Sequence, residues 1–204
     1  MGEAEDSDQG VADTSIASAA REVEEFVASA GWDQAPQLFA LVTTEELLAR
    51  QPDLAGHLDP DAALTPIAQD ALPETDLAEA LARIAWPDAV RGCALAQEII
   101  VLPPDAEADL AEQVDATAAP DAERLRKAAA NHPRRTEARL VAAVSRDGAR
   151  ACVLRLRGSA DQETSADQES ADQETSEALE PDEVIEHPGL APNLLDALQS
   201  TFAP

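Results

Sequence analysis

The chain reads as an α+β protein with one largely antiparallel sheet of about five strands and helices packed on one face. Three observations predict this. Short apolar runs bounded by Pro, Gly or Asp alternate with stretches whose apolar residues recur at helical spacing. Two strand-like runs, Thr136–Ser145 and Ala149–Arg157, flank Asp147-Gly148, the pair that a type I′ hairpin turn requires, so part of the sheet is antiparallel. Apolar residues make up 45% of the 204 positions, enough to build a packed core. The expected order is α-β-(α)-β-(α)-β-α-β-β-α, with short helices in parentheses.

Each element follows from its residues. Residues 1–12 are acidic and predict a disordered lead. Asp13 or Thr14 then opens a helix whose apolar positions are Ile16, Ala19, Ala20, Val23, Phe26, Val27 and Ala30, with Gly31 as its stop. Gln37–Val42 follows Pro36 and predicts a buried strand. Thr43-x-x-Glu46 has the pattern of a capping box, and Val42 and Leu47 have the spacing of a hydrophobic staple, so a helix is expected over about 44–50. Residues 51–63 form a Pro/Asp/Gly loop. Leu64–Leu72 predicts a second strand, which Pro66 confines to a sheet edge or a strand start. Thr75–Ala85 predicts a helix ended by Trp86-Pro87, and Gly92–Leu102, the most apolar segment, predicts a central strand.

The second half is read the same way. Residues 105–118 are acidic and predict a short helix with a loop, and Pro120 opens a helix running to about Asn131. On the hairpin, Ala138, Leu140, Ala142 and Val144 share a face, as do Cys152, Leu154 and Leu156. Val153, Arg155 and Arg157 lie opposite on the second arm. Residues 159–176 repeat Ser-Ala-Asp-Gln-Glu three times without one large apolar side chain. Burial there cannot offset ordering entropy, so 158–187 is expected to be a disordered acidic linker. Leu194, Leu195, Leu198 and Phe202 predict a short amphipathic helix that must dock to persist. One α+β domain is thus expected over 13–157 with 188–204.

Charge and composition exclude several functions. Asp and Glu total 41 against 14 Lys and Arg, a net charge of −27 that repels nucleic-acid phosphates. The start has no apolar signal-peptide region, and no run approaches the ~18 apolar residues of a membrane span. A cytoplasmic protein that binds neither membrane nor nucleic acid is expected. The five aromatic rings, three Phe and two Trp, are expected in the core. Cys93 and Cys152 make neither a disulfide framework nor a Cys-rich zinc site.

Reactive constellations are sparse as well. The eight glycines are never closer than eight positions, so no phosphate-binding loop can be drawn. His57, His132 and His187 stand isolated at loop positions. Asp105-x-Glu107-x-Asp109 begins like a calcium loop but has Leu110 where an EF-hand needs Gly. No catalytic residue, metal site or cofactor is expected.

One local contrast carries information. Residues 122–157 hold ten bases against three acids, a balance of +7 inside an acidic chain. Their arginines can pair with the protein's own carboxylates, or they can bind an anionic ligand, with Arg134, Arg135 and Arg139 as the candidate residues.

The runs His132-Pro133-Arg134-Arg135-Thr136-Glu137-Ala138-Arg139-Leu140-Val141, Arg146-Asp147-Gly148 and Leu154-Arg155-Leu156-Arg157 resemble a small family of actinobacterial proteins known by a propionibacterial locus tag. Gln37–Val42, Leu64-Thr65-Pro66, the Trp86-Pro87 to Pro103-Pro104 segment and Pro192-Asn193-Leu194 extend the resemblance to about 14–157 and 188–202. It implies a cytosolic domain and brings no catalytic residues. The element order is also similar to secretion-chaperone-like domains, an analogy at the level of fold.

Three functional readings follow. The favoured one is a non-enzymatic protein-binding, adaptor or chaperone-like module, homodimeric, holding a protein partner not identified by the sequence. The second is a phosphate or nucleotide binder working through Arg134, Arg135 and Arg139. The third is a carboxylate- and metal-dependent enzyme.

Overall fold

A computed structural model describes residues 3–72, 77–103, 129–158 and 183–203. The acidic 105–118 segment, the helix start at Pro120 and the Ser-Ala-Asp-Gln-Glu repeat lie outside the described residues. In chain order the elements are α1 (Glu3–Ala28), β1 (Gln37–Thr43), α2 (Thr44–Arg50), a 3₁₀ turn (Pro52–Gly56), β2 (Leu64–Ala68), α3 (Leu77–Leu81), β3 (Val90–Val101), β4 (Thr136–Ser145), β5 (Arg150–Leu156), β6 (Val184–Glu186) and α4 (Pro192–Ser200). Among the described residues the strands form one sheet in the order β2-β1-β3-β4-β5-β6.

The α+β class and the antiparallel sheet agree with the expectation. The strands number six because Val184–Glu186, inside the stretch expected to be linker, lies along β5. His187 N donates to Cys152 O and Leu156 N to Glu183 O, the pattern of an antiparallel pair. Helix α1 begins at Glu3, ahead of the expected opening at Asp13 or Thr14. Helix α3 stops at Leu81, short of Trp86-Pro87, where Arg83 N and Ile84 N bond three residues back and tighten the last turn.

Two further details depart from the sequence patterns. Thr43 does precede α2 but makes no side-chain cap bond. Its backbone is extended as the end of β1, and Thr44 N donates instead to Ala63 O at the start of β2. The hairpin turn is not type I′, which needs positive φ at two residues. Gly148 has φ +95°, whereas Asp33 is the only described non-glycine residue with positive φ, so Asp147 is ordinary. Ser145 N donates to Ala149 O and Gly148 N to Ser145 O, closing a three-residue loop in which glycine alone is left-handed.

Backbone contacts divide the chain into two compact units: Met1–Gln97 with Leu140–Leu154 and Ile185–Pro204, and Glu98–Arg139 with Arg155–Val184. In the first, the stripe Ile16, Ala19, Ala20, Val23 and Val27 of α1 packs with Phe39, Leu41, Ala94, Ala96, Val141, Ala143, Ala151 and Val153. Residues of the alternate face are buried too: Leu38, Ala40, Cys93, Leu95, Leu140, Ala142, Val144 and Cys152. Helix α4 adds buried Leu195 and Leu198, and Thr201 just beyond it lies 3.9 Å from Cys93 Sγ. Apolar burial therefore extends to both faces of the sheet rather than one.

The end of the chain is clasped in the same unit. Trp86 Nε1 donates to Thr201 Oγ1 at 2.8 Å, and the Trp86 and Phe202 rings stack at 6.2 Å. The Arg146 guanidinium lies 4.9 Å from the Phe202 centroid and donates to Val90 O and Pro87 O. In the second unit two buried arginines meet carboxylates. Arg139 lies 3.6 Å from Glu98, and Arg157 Nη1 donates to Glu137 Oε2 at 2.6 Å.

Candidate functional site

The basic hairpin does not gather its arginines into one cradle. Arg134 and Arg135 are exposed in the turn before β4, whereas Arg139 is 1% exposed and faces Glu98. Arg157 is held by Glu137, Arg150 by Asp196 at 2.8 Å, and Arg146 by backbone carbonyls and Phe202. The spacing of arginines along a strand conceals this, because alternate positions enter different environments. Carboxylate pairing accounts for Arg139, Arg150 and Arg157.

A cavity of about 450 Å³ lies beside β5 and β6, lined by Asp13, Arg150, Cys152, Glu186 and His187 among others. Arg150, Glu186 and His187 have partners already. Glu186 accepts two bonds from Arg21, at 2.6 and 2.7 Å, and that guanidinium holds its carboxyl below the usual range. His187 Nδ1 accepts a bond from Gly189 N. Burial pushes the Cys152 thiol upward, away from the thiolate that a nucleophile needs. Cys93 is pushed up to about 12 by burial as well. Among the described residues no three His, Cys, Asp or Glu side chains gather as metal ligands.

The second cavity differs in character. It is a groove of about 510 Å³ lined by Phe26 and Glu22 of α1, Phe39 of β1, Leu47, Leu54 and Leu58, and residues Thr65–Ala68 of β2. Its lining is apolar apart from Glu22, Gln51 and Thr65. Phe26 is 57% exposed and Ile67 37%, both large apolar side chains left in water. The Phe26 ring sits edge-on to buried Phe39, with centroids 5.9 Å apart, so its position is supported from beneath.

Of the five rings expected in the core only Phe39 is buried; Trp32, Trp86 and Phe202 are half-buried, and Phe26 is exposed for a geometric reason. At about 100° per residue, Val27 lies about 40° from Val23, on the side of Ile16 and Ala20. Phe26 lies about 60° the other way, beside Glu22. The signal was present in the sequence: a ring at the shoulder of the stripe with Glu22, Glu25 and Ser29 as helical neighbours.

The wall near Glu22 is acidic. Burial raises the Glu22 carboxyl above its ordinary range, and the nearby charges of Asp59 and Glu25 raise it further. Arg21, the adjacent base on α1, is bound to Glu186.

The edge of β2 has a definite polarity. Ala63 O and Gln69 N both bond toward β1 or its end, at Thr44 and Leu38. Antiparallel alternation then turns the backbone groups of residues 65 and 67 the same way and those of Leu64, Pro66 and Ala68 outward. The middle of the free edge is thus a proline with no N–H, between buried Thr65 and exposed Ile67.

These features define an α+β protein built on one antiparallel sheet, with an apolar groove at its edge strand. Within that class the chain belongs to the PPA1309-like protein family, whose family model matches residues 16–203. No curated protein and no solved structure matches the chain, so the analogy with secretion-chaperone-like domains gains no support there. Among the described residues no helix is long and apolar enough to cross a membrane.

Proposed function

We propose that the protein is a non-enzymatic binding module, working in the cytoplasm, that holds a segment of a partner protein in the groove between α1 and β2. The half-exposed Phe26 ring, braced on Phe39 at the mouth of an apolar groove, carries the reading. Covering the rest of such a ring contributes on the order of 1 kcal/mol, and large aromatic anchors in grooves dominate binding energies. The buried, protonated thiols and the committed polar groups of the other cavity favour binding over catalysis.

The test is affinity capture from native lysate, followed by reconstitution with the purified partner. Phe26→Asp is expected to weaken the reconstituted complex by at least about tenfold. Arg134→Ala with Arg135→Ala is expected to leave it intact. A complex indifferent to Phe26→Asp, or lost with the arginines, overturns the proposal, as does the absence of any partner that rebinds after purification.

A further inference from the structure

We propose that the occupant of this groove is a cationic amphipathic helix, which docks through side chains rather than by adding a strand to the sheet. The inference rests on the groove's being a protein-binding site and names the chemistry of what it binds.

Charge gives the first half of the argument. Among the described residues, Glu22 is the one charged residue lining the groove, and Asp59 and Glu25 act on it from close by. The adjacent base, Arg21, is committed to Glu186 through two short bonds. The chain as a whole carries −27. An acidic segment would have to enter against this field, whereas lysine or arginine flanking the apolar contacts would be drawn toward it. A second copy of this acidic chain is disfavoured on the same ground.

The edge strand gives the second half. A peptide that adds to a sheet takes its affinity from main-chain hydrogen bonds along the free edge. Here the outward positions are Leu64, Pro66 and Ala68, and the central one has no donor. Proline at this position is a means by which sheets refuse an added strand. A helix satisfies its own backbone and needs only apolar side chains to seat against Phe26, Leu47, Leu54 and Leu58.

The experiment uses the full chain and three short fluorescein-labelled peptides, read by anisotropy. One is a leucine/lysine peptide with helical spacing of its leucines. The second replaces every lysine with glutamate. The third is a valine/lysine peptide with strict alternation. The first is expected to bind in the micromolar range and to gain helical circular dichroism. The other two are expected to bind at least about tenfold more weakly.

Phe26→Asp separates groove binding from simple attraction of cations to an acidic protein. It adds negative charge, so nonspecific binding should tighten, whereas groove binding should fall at least about tenfold. Ala68→Asp, on the exposed edge strand opposite Phe39, is a second probe if Phe26→Asp lowers the melting temperature. Binding of the leucine/lysine peptide that neither substitution weakens overturns the groove itself as a site. Groove-dependent binding in which the acidic or alternating peptide matches the helical cationic one overturns the inference and leaves the binding-module reading standing. A dimer by light scattering that Phe26→Asp converts to monomer assigns the groove to a second copy and overturns the inference too.

Discussion

A methyl group added at Gly92 has nowhere to go. An ideal Cβ there would lie 2.6 Å from Val144 O and 3.3 Å from both Leu41 Cδ1 and Ser145 Cα. Two of these are backbone atoms of the neighbouring strand, so the contact cannot be relieved by rotating a side chain. Gly92→Ala is expected to cost about 1–3 kcal/mol, the range of core overpacking. Urea melts should show the midpoint falling with the slope unchanged. Gly56→Ala, where a Cβ meets nothing within 4 Å, is the control and should shift the midpoint little. Residue identity shows where a glycine or an arginine stands, but not what approaches it. The run of arginines was legible as a charge contrast. Only the fold places Arg139 on Glu98 and Arg157 on Glu137, because their partners come from other strands or from the opposite end of the hairpin.

Elements were legible in proportion to how far local chemistry decides them. Pro66 announced an edge strand, and β2 is one, since a missing donor is tolerated only where no neighbour needs it. Strand β3 was legible from its long apolar run and holds an interior place in the sheet. Strand β6 was not legible, because its three residues pair only once β5 lies alongside. The groove was not legible, since Phe26 was expected in the core and α1 and β2 are distant in sequence. The hairpin shows how a correct element can rest on an incorrect turn. With Asp147 at ordinary φ and Gly148 at +95°, a single position bears the backbone demand. Gly148→Val should therefore destabilise the protein by roughly 1–2 kcal/mol, the cost of holding an L-residue left-handed, with more for β-branching. No atom lies within 4 Å of a Cβ built there, so the loss is conformational rather than steric. Gly148→Asn, a side chain that tolerates the left-handed region, should recover part of it. Thermal melts of the two variants side by side check this, and equal losses would mean that the cost lies elsewhere.

At the scale of the whole molecule, charge governs. A chain with 41 acids and 14 bases carries a surplus that no internal pairing can remove. Some pairs are well made, such as Arg21 with Glu186 and Arg157 with Glu137, but each consumes a base that is already scarce. The surplus acts in two directions. It creates the field that would draw a cationic partner to the groove near Glu22, and it opposes compaction by self-repulsion. Salt separates these effects. The screening length falls from about 10 Å at 0.1 M to about 3 Å at 1 M, so the diffuse repulsion fades first, while short partly buried pairs are screened less. Exposed pairs such as Arg83 with Glu79 contribute little to begin with. Raising sodium chloride from millimolar to near-molar concentration should thus raise the melting temperature, by about 2–4 °C for each kcal/mol of repulsion relieved. The same salt should weaken the leucine/lysine peptide while leaving its dependence on Phe26 in place. A melting temperature that falls with salt would mean that ion pairs outweigh self-repulsion, and that the acidic surplus is not the force that selects a cationic partner.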